Sequence, residues 1–259
     1  VPLVFDALLR LHLTCAFGAT AAFWVAGVTA KGGARHRAAG RWFSRLVYVA
    51  AVLGGALAIA QLIAPRAVRP GDYAVVSDAA AVAARTRQLM WLILYVLVII
   101  VAPVQHGLAV IRAGPLPARV RSRVHAAFSL AGLAGTLVLI PAAIAWERWM
   151  FLIIAPVGFI VGVRNLSYAS RPFAAPSEWQ REHLTSLLTA GIALHTAFFV
   201  LGLSRLLGIP TSGWAQTIPW TVPALIGLPV MAWIRRRWTS AKAVQSVRGG
   251  TGAAPRARS

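Results

Sequence analysis

The sequence has almost no cysteine and very little acid. Cys15 is its single cysteine among 259 residues, so no disulfide forms within the chain and no cysteine-ligated metal cluster is available. Six Asp and Glu stand against 26 Lys and Arg. Charged residues make up 12% of the chain, about half the share usual in a soluble domain. The near absence of acids from the apolar stretches argues against a proton-coupled carrier built on buried carboxylates. It argues equally against a carboxylate-bridged metal centre, which needs several acids projecting inward. No Gly-x-Ser-x-Gly elbow and no GxxxxGK[ST] loop occurs, so hydrolase and P-loop readings lack their turns.

What the chain has instead is long apolar runs. Hydrophobic residues are 58% of the total, and seven runs of about 20 residues have the length that crosses a bilayer core. They are read as spans over 5–30, 42–64, 89–111, 124–146, 149–168, 183–207 and 214–234. The stretch 77–88 carries a helix start, with Ser77 or Asp78 as cap, ahead of the third span. Glu147-Arg148 is so short a turn that the fourth and fifth spans are expected to be adjacent and antiparallel. The fold class is all-α: a membrane bundle of seven transmembrane helices over 1–238, followed by a disordered basic cytoplasmic tail over 239–259.

The net charge of +20 does not point to nucleic acid, because the arginines sit between the spans and not on a soluble polar surface. It points to topology and to anionic headgroups. With seven spans, the loops at 31–45, 112–123 and 164–182 share one side with the tail. That side holds 19 of the 26 basic residues, which predicts N-out, C-in in a bacterial cytoplasmic membrane. The first hinge is the most distinctive. Gly32-Gly33 breaks the helix, and Arg35, His36, Arg37 and Arg41 then form a candidate site for lipid headgroups or another anion.

Within a membrane an ionisable side chain is a functional candidate by default, since leaving it unpaired is costly. Here that residue is histidine. His12 and His195 lie deep in the first and sixth spans. His106 and His125 flank the second basic hinge at depths differing by about 6 Å. The face of the fourth span that carries His125 continues through Ser129, Gly132 and Thr136. Histidine pairs on neighbouring helices suit haem b, with His106 and His125 as one pair and His12 and His195 as another. A zinc-type site drawn from His36, His106, His125 and His183 with Glu182 is disfavoured by the positive surroundings. The plain alternative is that these histidines satisfy helix–helix hydrogen bonds.

The run from Lys31-Gly32-Gly33 through His36-Arg37 to Gly40-Arg41 fits KGxxxHRxxGR. With His12, and with Glu182-His183-Leu184 and Gly191 to Phe198, it resembles a family of bacterial multi-pass membrane proteins of unassigned function. The resemblance implies an inner-membrane helical bundle and picks out His12, His36, Arg37, Gly40, Arg41, His183 and His195. It implies no activity. Two functions are therefore carried forward. One is a haem-binding or redox-associated protein using intramembrane histidines. The other is a non-catalytic subunit or lipid-binding scaffold of a larger membrane complex, its basic face on anionic lipids.

Overall fold

The computed structural model describes residues 1–203 and 217–250 and is helical throughout, with short turns between long helices. The long helices are α1 (Pro2–Val28), α2 (Ala34–Ile63), α3 (Ala79–Ala113), α4 (Arg123–Ala145), α5 (Trp149–Ala169), α6 (Pro176–Ala197) and α7 (Thr217–Gly250). Each contains a stretch long and apolar enough to cross a membrane. Large apolar side chains point outward on most of them, among them Val52, Leu137, Ile160 and Leu225. Such a surface is stable only against lipid or a partner, and the chain is a multi-pass membrane protein.

Several helix ends follow from local chemistry. Asp78 caps α3 by accepting from the amides of Ala80 and Ala81 at 3.0 and 2.9 Å, so α3 begins a full ten residues before the apolar run. Ser122 caps α4, accepting from the amide of His125 at 3.1 Å. Pro176 opens α6 in its first turn, where no N–H is needed, and Glu178 Oε2 accepts from the amide of Ala175 at 3.1 Å. The helix therefore starts seven residues ahead of the expected sixth span, and Glu182 lies inside it. This corrects the placement of 164–182 as a loop, since only 170–175 lies between α5 and α6.

The last α-helical turn of α6 passes into a π-turn over Phe198–Leu203. Helix α7 runs on to Gly250, so the first part of the tail continues the helix, as its Ala, Lys, Val and Gln residues permit. The expected span ends at 204–207 and 214–216, and tail residues 251–259, lie outside the described residues.

Helix α3 is the axis of the bundle. It packs against α2, α4, α5 and α6, and 61% of its most apolar stretch is buried, against 11–39% in the others. Helices α1 and α2 form one tight hairpin and α4 and α5 another, as the short Glu147-Arg148 turn requires. Glu147 takes a positive φ of 55° there. The α4–α5 contact is close because both helices are bare where they meet. A Cβ on Gly132 would lie 2.8 Å from the Gly158 carbonyl oxygen, and one on Gly162 would lie 2.6 Å from that of Ser129.

Candidate functional site

Four helices converge on a buried polar cluster. His106, on α3, is fully buried, and His125, on α4, is 2% exposed. Their rings meet directly, with His106 Nδ1 3.0 Å from His125 Nε2. The other nitrogen of His106, Nε2, is 3.1 Å from Glu182 Oε1 on α6. A carboxylate only accepts, so Nε2 of His106 carries the hydrogen. In a neutral ring Nδ1 is then the acceptor, and His125 donates to it through Nε2–H.

Arg164, on α5, closes the cluster. Its Nε approaches the same Glu182 oxygen at 3.3 Å as an ion pair, outside hydrogen-bond geometry. Its terminal nitrogens donate to Ser186 Oγ at 2.9 Å and Thr189 Oγ1 at 3.5 Å. Glu182 keeps 17% side-chain exposure, which makes it the accessible end of the chain of contacts. The edge of the Tyr168 ring lies against His106, with centroids 5.5 Å apart.

Around this array sit polar atoms left over. The side-chain oxygen and nitrogen of Asn165, the Tyr168 hydroxyl, Ser129 Oγ and Gln105 Oε1 are buried without a hydrogen-bond partner among the described residues. Each such orphan costs about 1–3 kcal/mol. Keeping several together in an apolar bundle marks the region as polar by design.

Other candidates have separate fates. His12 Nδ1 donates to the Ala50 carbonyl at 2.9 Å and rests over Gly54, where a Cβ would stand 2.9 Å from its Cε1. His195 Nδ1 donates to Gly191 O at 2.7 Å, and its Nε2 accepts from Trp24 Nε1 at 3.0 Å. These two histidines thus serve different contacts, α1 to α2 and α1 to α6, and are not brought together as a pair. His183 Nδ1 donates to Gly107 O at 2.8 Å, joining α6 to α3.

His36 Nδ1 donates to Ala26 O at 3.0 Å, beside Lys31 Nζ on the same oxygen at 3.0 Å. Arg37 donates to Gly32 O. These groups close the open carbonyls at the end of α1. Partial burial over that end lowers the Lys31 ammonium from its ordinary 10.5. Arg35, Arg37, Arg41 and Arg45 are exposed. Of the zinc candidates, His36 and His183 are each spent on a backbone carbonyl, while His106, His125 and Glu182 are spent on one another. No group of three or more His, Cys, Asp or Glu among the described residues is arranged to hold a metal ion.

Sequence reading paired His106 with His125 but missed Arg164, Asn165, Tyr168 and Ser186. The signal was present. Arg164-Asn165 interrupts an apolar helix, and Glu182, Ser186 and Thr189 fall on one face once α6 is started at Pro176. A second missed knot ties α3, α4 and α5. The Tyr95 hydroxyl meets Thr136 Oγ1 at 2.9 Å, accepts from the Gly158 amide at 2.8 Å and donates to Ala155 O.

No family model, no curated protein and no solved structure matches the chain.

Proposed function

We propose that this is a protein of the bacterial cytoplasmic membrane, N-terminus out, whose working part is a histidine–carboxylate proton relay near the basic face. The observation that supports the reading is the unbroken contact from Glu182 through both nitrogens of His106 to Nε2 of His125. Imidazole passes a proton by taking it on one nitrogen and releasing the other from the opposite one. Two rings in series with a carboxylate at the accessible end have that connectivity. From the hydrogen-bonded state, His106 gives its Nε2 proton to the Glu182 carboxylate as its Nδ1 takes the proton of His125 Nε2. His125 is made good by a proton arriving at its Nδ1, Glu182 releases its own at the accessible end, and the rings return by reversing tautomers. Arg164 holds the carboxylate in place and keeps it ionised between transfers. One turn beyond His125 on α4 lies the unpartnered Ser129 Oγ, so the relay leads towards the leftover polar atoms. Proton supply of this kind serves a redox or transport cycle.

Nitrogen NMR of histidine-labelled protein in bilayers tests it. His106 and His125 should share a coupled tautomer and exchange protons with each other, and Glu182→Gln should uncouple them. Two rings that hold one fixed tautomer without exchange would leave only a structural role.

Haem b between His106 and His125 is the second reading, favoured by their burial side by side. It requires the present hydrogen bonds to open, because an axial ligand must present a free nitrogen to the iron. A Soret band lost in His106→Ala and His125→Ala supports it; a colourless preparation from haem-replete cells rejects it. The exposed hinge arginines support contact with anionic lipid under either reading, as does the hinge's resemblance to bacterial inner-membrane proteins.

A further inference from the structure

A second site lies in the other half of the bundle, away from the basic hinges. A cavity of about 450 Å³ opens between α1, α2, α3 and the end of α6. On α2 it extends from Val47 to Gln61, about 21 Å at the helical rise. Its lining is apolar apart from His12, Thr20 and Gln61. Thr20 spends its hydroxyl on the Ala16 carbonyl at 2.9 Å, and the Gln61 amide lies 3.4 Å from Met90 Sδ.

His12 is different. Its Nδ1–H is held by Ala50 O. That bond fixes the tautomer of the neutral ring and leaves Nε2 as a lone-pair acceptor. No described residue bonds to Nε2. Gly54 is what lets the ring lie flat on α2, since a Cβ there would strike it. The volume is in the range of small-molecule sites, which pair apolar walls with a few placed polar groups. A long apolar slot within a membrane, with one acceptor on its wall, selects a lipid-soluble molecule that offers an O–H.

We infer that this cavity binds a hydroxyl-bearing membrane lipid of the quinol or isoprenol type, its hydroxyl donating to His12 Nε2 and its apolar body lying along α1 and α2. The site is independent of the His106–Glu182 relay and shares no residue with it. A carbonyl-only analogue has no hydrogen to give and faces a lone pair, so it should bind less well. One neutral hydrogen bond of about 1 kcal/mol corresponds to about fivefold in affinity.

The test uses the full chain in nanodiscs with three probes: decylubiquinol, decylubiquinone and decanol. Binding is read by titration calorimetry and by thermal shift. The wild type should bind the quinol about fivefold more tightly than the quinone. Binding of decanol with His12 dependence assigns the isoprenol source, its failure beside a bound quinol assigns the quinol source, and either supports the site. His12→Phe should erase the quinol–quinone difference, while His12→Gln, which keeps an acceptor oxygen, should restore part of it. Ala16→Phe, which fills the slot, should abolish all binding. Equal binding of quinol and quinone, or a preference that survives both His12→Phe and Ala16→Phe, overturns the proposal, as does no binding of any probe to the wild type.

Discussion

His106 Nδ1 lies 3.0 Å from His125 Nε2, while the opposite nitrogen of His106 lies 3.1 Å from Glu182. One fully buried ring thus has both of its polar atoms committed, to two different helices. That relationship makes α3, α4 and α6 a single electrostatic unit, with Arg164 of α5 as its counter-charge.

Removing the carboxylate should therefore cost more than a surface acid would. Glu182→Gln leaves Arg164 without its ion partner and weakens the contact to His106. The expected loss is about 3 kcal/mol, the low end for a broken buried pair, because both side chains keep some exposure. Thermal unfolding in detergent checks it. Arg164→Gln combined with Glu182→Gln should lose clearly less than the two single losses added together, because the double variant strands no charge. Strict additivity would mean that the pair is not coupled.

Tyr95→Phe tests the second knot. The hydroxyl is shared among Thr136, Ala155 and Gly158 on two other helices, and Phe fills the same space without it. The Gly158 amide then loses a partner within the bundle, and the expected destabilisation is about 1–3 kcal/mol. A Tyr95→Phe variant as stable as wild type would show that the helix backbone alone satisfies these groups.

These two clusters show what was legible beforehand. Apolar run length gave the seven spans, and the two-residue turn Glu147-Arg148 gave the α4–α5 hairpin, because both depend on local chain length. The His125, Ser129, Gly132 and Thr136 face was readable for the same reason, and all four residues are buried. The α3–α6 contact that brings Glu182 to His106 joins positions 76 apart in the chain, and no local pattern encodes that pairing. Glu182 is named beside the histidines as a candidate ligand, but its place inside a helix was hidden by reading hydropathy instead of caps. The polar stretch before it looked like a loop, although Pro176 and Glu178 are start signals for a helix.

Two glycines should respond in opposite senses to the same substitution. Gly158→Ala places a methyl against the Tyr95 hydroxyl and the Gly132 carbonyl, with no room unless α4 and α5 part. The expected cost is about 1–3 kcal/mol. At Gly40, inside α2, nothing lies within 4 Å of the added carbon. Gly40→Ala should stabilise by about 0.5–1 kcal/mol through helix propensity alone. Equal effects on unfolding at the two positions would contradict the packing assignment.

The first basic hinge divides into two groups with separable readouts. Lys31 and His36 both donate to Ala26 O at the end of α1, where N–H donors and the Lys31 charge complement the negative end of the helix dipole. Substituting Lys31→Met and His36→Ala together should lower stability by about 1 kcal/mol and leave lipid preference largely intact. Arg35 and Arg41 are exposed and free to meet headgroups. Changing both to Gln should leave stability within about 0.5 kcal/mol while weakening binding to anionic nanodiscs by about 2 kcal/mol, roughly one for each lost charge near the surface. That loss should shrink as salt is raised, since exposed charges are screened beyond about 10 Å at 0.1 M. If the arginine pair instead governed unfolding and the Lys31 and His36 pair governed lipid affinity, His36 would belong with the anion-binding residues and not with the helix cap.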